Sequence, residues 1–127
     1  MDDRKAVIII DGIAYDTLFS TTAANAVIDK YGSIEKYADK ILNTKELREN
    51  SDELVWIITL LINQPIRLHN IRHRDSLLPL LTEEEVSLMT IPRDYPEYWA
   101  AVWETIQRGL VRNVQSEVDH SKNSQDG

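Results

Sequence analysis

The period of apolar and polar positions changes several times along the chain, and each change marks an element. Ala6-Val7-Ile8-Ile9-Ile10 is an apolar, mostly β-branched run, and Ile13, Tyr15, Thr17 and Phe19 stand at alternate positions after it. Between them, Asp11-Gly12 is the signal of a two-residue turn, because Gly accepts a positive φ at little cost. The pattern predicts a β-hairpin over about residues 5–19. A lone hairpin is marginal in water, so it must pack on helices or pair with another chain.

Helical spacing then takes over. Ser20 or Thr21 is positioned to cap a first helix running through Ala23, Ala24, Val27, Ile28 and Tyr31. Gly32 is a stop, and Ser33 caps a second helix, Ile34 to Leu42, with Ile34, Tyr37, Ala38 and Ile41 on one face. Asn43 to Asn50 is polar and reads as a loop or a frayed turn. Ser51 or Asp52 then caps a third helix. From Leu54 to Ile62 only Thr59 is polar, so this helix belongs at the centre of the core. It is expected to end by Gln64, because Pro65 has no N–H to continue the ladder.

Beyond Pro65 the character changes. Arg67, His69, Arg72, His73 and Arg74 fall within eight positions, and Leu77, Leu78, Leu80 and Leu81 follow, interrupted by Pro79. Thr82-Glu83-Glu84-Glu85 is a capping box that opens a short helix to about Met89. A last helix begins near Tyr95 to Glu97, with Trp99, Trp103, Ile106 and Leu110 at helical spacing and Gly109 weakening its second half. From Ser116 the chain is polar. The expectation is therefore a mainly α fold, a compact helical domain of about five helices with an N-terminal hairpin. It covers residues 1–115, and residues 116–127 form a disordered tail.

Composition adds limits. The chain has 127 residues, 43% hydrophobic and 28% charged, which suits one globular core without staples. There is no Cys, so disulfides, thiolate metal sites and Cys nucleophiles are excluded. The N-terminal sequence does not make a signal peptide, and the longest apolar stretch is far below the roughly 20 residues of a membrane helix. The net charge of −7 disfavours non-specific binding to nucleic acid. A reducing cytoplasm fits all of this.

Candidate chemistry is sparse. Gly12, Gly32, Gly109 and Gly127 are isolated, so no phosphate loop exists, and no nucleophile elbow is present. His69 and His73 would share a helix face. The residues between them are not those of a zinc protease, and Arg72 and Arg74 would repel a cation. His120 lies in the expected tail. Asp94, Glu97 and Glu104 flank Trp99 and Trp103, which is more the pattern of a solvated helix face beside core aromatics than of a glycosidase cleft. The reading is no catalytic residue, no metal and no cofactor. Arg67, Arg72 and Arg74 remain candidates for contact with an acidic partner, or else form a solvated loop balancing Glu83 to Glu85. Nucleic acid is the lesser alternative, because interleaved aromatics are missing. Trp99 and Trp103 are the aromatic candidates for partner binding, since large aromatics dominate interface hot spots.

The order of these features is similar to that in a known family. Val7-Ile8-Ile9-Ile10-Asp11-Gly12-Ile13-Ala14-Tyr15 is followed by Asp29-Lys30-Tyr31-Gly32-Ser33-Ile34-Glu35, then Leu54-Val55-Trp56-Ile57-Ile58-Thr59-Leu60-Leu61-Ile62-Asn63-Gln64. A basic segment precedes Pro79-Leu80-Leu81-Thr82-Glu83-Glu84-Glu85-Val86, and a terminal helix closes the series. This resembles the tail assembly chaperones of long-tailed bacteriophages and prophages, over about residues 5 to 112. The resemblance implies a non-enzymatic protein of the bacterial host cytoplasm. It would bind the tape measure protein until tail tube subunits replace it. Independently of the resemblance, the open hairpin edge is expected to pair with a second copy or with a tail protein, because open edges recruit strands. The family carries no ligand residues onto positions of this sequence. A small structural adaptor of a virion and a small nucleic-acid-binding regulator are the competing expectations.

Overall fold

The computed structural model describes residues 2–112, so the expected tail from Ser116 onward lies outside the described residues. Strands β1 (Lys5–Ile10) and β2 (Ile13–Leu18) form an antiparallel hairpin. Asp11 and Gly12 both have positive φ, 54° and 76°, as the two-residue turn requires. The register pairs Ile10 with Ile13, Ile8 with Tyr15 and Ala6 with Thr17. Ala6, Ile8, Ile10 and Thr17 turn inward and are buried, whereas Val7 and Ile9 face outward.

Helix α1 (Thr21–Tyr31) starts where Ser20 accepts a bond from the Ala23 N–H at 3.0 Å. It stops at Gly32, whose φ of 100° lets its N–H reach the Ile28 carbonyl. Helix α2 (Ile34–Leu42) is capped by Ser33 through the Lys36 N–H at 3.0 Å. Helix α4 (Glu83–Met89) carries the complete capping box of Thr82 and Glu85. After one 3-10 turn, helix α5 (Tyr95–Leu110) runs through Gly109 without a break.

Helix α3 departs from the sequence expectation at both ends: it spans Leu47–Arg72. The segment expected as a loop supplies its first turn. Long-range contacts hold that turn: Lys40 of α2 pairs with Glu49 at 2.7 Å, and Trp99 Nε1 donates to Asn50 Oδ1 at 3.0 Å. Ser51 meets the Tyr95 hydroxyl at 2.8 Å instead of capping. At the other end Pro65 lies inside the helix. An interior proline costs about 3 kcal/mol through its missing bond and ring clash. Leu61, Ile62 and Gln64 are buried around it, and burying one large aliphatic side chain returns about 1.5–3 kcal/mol. Gln64 Nε2 also donates to the Leu60 carbonyl beside the gap.

The result is mainly α, with five α-helices and the hairpin among the described residues. Helix α3 is central, touching β2, α1, α4 and α5, and its Leu54, Ile57, Ile58, Leu61 and Ile62 are buried. The hairpin lies across α3 and α5, where Thr17 and Thr105 share a buried hydroxyl bond of 2.7 Å. No helix among the described residues is long and apolar enough to cross a membrane.

Candidate partner-binding surface

The basic segment is not a loop. Continuation of α3 past Pro65 puts Arg67, His69 and Arg72 on its last turns, and His73 and Arg74 just beyond. His69 and His73 stack with ring centroids 4.6 Å apart, and the His69 Nε2–H donates to the Ser76 carbonyl at 2.9 Å. That bond turns the chain back along the helix. Two asparagines then hold the returning segment. Asn70 Oδ1 accepts from the Leu78 N–H at 2.8 Å while its Nδ2 donates to the Leu78 carbonyl at 2.9 Å. Asn63 does the same to Leu81, at 2.9 and 2.8 Å. Each side-chain amide makes the two-bond exchange that a neighbouring β residue would make. Residues 76–81 thus have no regular structure of their own, yet are fixed to α3 at three points.

This frame holds apolar side chains in solvent. Leu77 and Leu78 are exposed, and so are Leu80 and, on α3, Ile71. Isolated apolar residues on a surface are ordinary, but several on one pinned segment form a patch. Beside it runs an open groove of about 470 Å³. Its apolar lining includes Leu18, Phe19, Leu68 and Ile71, and Arg4, Arg67 and Arg108 stand around it. A smaller groove of about 280 Å³, between Trp56, Asn63, Leu80 and Glu83, also includes Arg67. Arg67 therefore stands between the two.

The cations differ in availability. Arg4 is committed to Asp2, its Nε and Nη2 2.9 and 2.8 Å from the carboxylate, which holds the Asp2 carboxyl well below the usual range. Arg108 pairs with Glu104 at 2.8 Å. Arg67, Arg72 and Arg74 make no ion pair among the described residues, Glu83 to Glu85 included. Exposed guanidinium groups in an acidic chain are a local positive field of the kind that steers an anionic partner.

The tryptophan candidates lie elsewhere. Trp99 and Trp103 are half-buried, stacked on each other with centroids 5.9 Å apart, and Trp103 also meets Tyr37 at 5.6 Å. Trp99 is tied to Asn50, which is about 25 Å along α3 from Arg67. The three arginines lie on or just past the last turns of α3, Arg67 and Arg72 on different sides of the helix, and the tryptophan pair lies at the other end. Sequence reasoning missed Asn63, Asn70, Leu68 and Ile71. The available signal was a pair of asparagines seven apart, two helical turns, facing a leucine-rich segment that Pro79 keeps from forming a helix. Among the described residues no group of three or more His, Asp or Glu is arranged to hold a metal ion. Compared with known proteins, the chain matches no family model, no curated protein and no solved structure.

Proposed function

We propose that the chain is a non-enzymatic binding protein, a tail assembly chaperone of a long-tailed phage or prophage. In this reading it holds apolar, acid-flanked helical stretches of the tape measure protein in the host cytoplasm until tail tube subunits displace it. The observation that carries the reading is the exposed leucine segment pinned by Asn63 and Asn70, with Arg67 lining a groove together with Leu80 and with Arg72 and Arg74 shortly before the segment in the chain. Its leucines offer an aggregation-prone client apolar surface that needs no rearrangement, and pre-organisation lowers the entropic cost of binding. Its arginines favour clients whose apolar faces are edged with Asp or Glu.

The test is co-expression with a tape measure protein. The client is expected in the soluble fraction and to co-purify with this chain. The double variant Leu77→Ser with Leu80→Ser leaves the core untouched and is expected to weaken capture at least about tenfold, or about 1.4 kcal/mol. A client that stays equally soluble without this chain sinks the proposal. Recovery of the chain from finished particles favours a structural adaptor instead, because an assembly chaperone leaves before completion.

A further inference from the structure

A second surface, independent of the leucine segment, lies on the outer edge of β1. In a hairpin closed by a two-residue turn, the closing pair exchanges both backbone bonds, and so does every second pair after it. Here those pairs are Ile10–Ile13, Ile8–Tyr15 and Ala6–Thr17. The backbone N–H and C=O groups of Val7 and Ile9 consequently point away from β2. The sheet has two strands only among the described residues, and no other backbone group there bonds Val7 or Ile9. These two residues are 49% and 64% exposed, and no charge lies between Lys5 and Asp11 on this strand. The free edge of β2, by contrast, carries the exposed Asp16, a charge that discourages strand addition.

We infer that β1 pairs with β1 of a second copy, antiparallel about a two-fold axis through Ile8, joining two hairpins into one four-stranded sheet. Only registers that oppose outward-pointing residues are allowed, so the axis passes through Val7, Ile8 or Ile9 unless the overlap becomes very short. Charge selects among these. With the axis at Val7, Asp3 and Asp11, in the turns that flank β1, come near each other across the two copies, an approach of like charges. With the axis at Ile9, Asp11 opposes Val7 and Lys5 has no acid opposite it. With the axis at Ile8, Val7 and Ile9 exchange four backbone bonds across the interface, and Lys5 at the start of each strand comes beside Asp11 in the turn of the other copy, twice. Opposite charges placed directly across strands stabilise pairing and like charges oppose it. The contact is isologous, so it closes at two copies. The inward residues Ala6, Ile8 and Ile10 stay in their own cores.

Sedimentation of the full chain over a concentration series is expected to show a species with the mass of two chains. Ile9→Lys, an outward substitution, is expected to abolish that species with an unchanged far-ultraviolet circular dichroism spectrum. The chain has no Cys, so single Cys variants report the register. A mixture of Val7→Cys and Ile9→Cys chains is expected to form the mixed disulfide on oxidation, with little cross-linking of Val7→Cys to itself. A chain that stays monomeric throughout overturns the inference, as does a dimer that survives Ile9→Lys. Preferential cross-linking of Val7→Cys to itself overturns the register.

Discussion

Gly109 sits one residue from the end of α5, exposed to solvent on one side. Judged by helix propensity alone, replacing it by Ala gains up to about 1 kcal/mol. The tertiary structure reverses that sign. A Cβ on Gly109 would lie 2.6 Å from both the Cβ and the carbonyl oxygen of Phe19, and 3.0 Å from its Cδ2. Neither of the nearer atoms can swing aside. Phe19 is 5% exposed, and its backbone leads directly into the Ser20 cap of α1. Overpacking of this kind costs roughly 1–3 kcal/mol. Fraying of the last turn limits the upper end, because Leu110 and Val111 are exposed and little apolar burial is lost with them. The expected net effect of Gly109→Ala is a destabilisation of about 1–2 kcal/mol, which for a chain of this size lowers Tm by roughly 3–10 °C. Urea unfolding followed by tryptophan fluorescence measures it, with an unchanged slope and a lower midpoint expected. Gln107→Ala, an exposed position in the same turn, is the control and should change stability by no more than about 0.5 kcal/mol. An equal or higher Tm for Gly109→Ala would refute the close approach of α5 to Phe19.

Three other variants test the same geometry. The Tyr37 hydroxyl is buried without a hydrogen-bond partner, so Tyr37→Phe should raise stability by about 1 kcal/mol or leave it unchanged, and a clear loss in urea unfolding would show a missing partner. Burial, above all, raises the pKa of Tyr37 above its ordinary 10.0; it does the same for Tyr31, hydrogen-bonded to Glu53, and for Tyr98. Unfolded tyrosines ionise near pH 10 while these stay protonated when folded, so stability is fully present below pH 10 and is lost as pH rises above it. Alkaline unfolding should flatten in Tyr37→Phe, and an identical pH slope would count against the burial. Asn70→Ala should speed amide exchange at Leu78 at least about tenfold, the loss of about 1.4 kcal/mol of local protection, with Leu81 nearly unaffected; unchanged exchange at Leu78 would dispose of the clamp. Thr82→Ala removes the capping box of α4 and should cost about 1 kcal/mol in urea unfolding, a value near zero showing that packing of Val86 alone holds the helix.

The leucine surface and the β1 edge differ in how they arise. The edge is a local product: a two-residue turn and an alternating strand determine which backbone groups face outward, whatever α3 and α5 do beneath. The leucine surface is a long-range product. In the sequence Leu77, Leu78 and Leu80 are only a leucine run interrupted by Pro79, and it is the bonds from Asn63 and Asn70 that turn them into a fixed display on another element.

The same division runs through the fold. The β-branched run Ala6–Ile10, the Asp11-Gly12 turn, the Ser20 and Ser33 caps, the Gly32 stop and the Thr82–Glu85 box were all legible in the sequence. Each depends on bonds spanning at most a few residues, so nearby side chains suffice to specify them. The extent of α3 was not. Local rules end it at Gln64 and begin it at Ser51, whereas it runs from Leu47 to Arg72. Its first turn is held by residues from α2 and α5, and its passage through Pro65 by the core packed around Leu61, Ile62 and Gln64. A local penalty of about 3 kcal/mol is outweighed there by burial that no sequence window contains. The sequence alone therefore determined which side chains are basic, apolar and able to cap. Tertiary packing, by keeping α3 whole, decided that Arg67 and Arg72 lie on the last turns of a helix beside a pinned leucine segment.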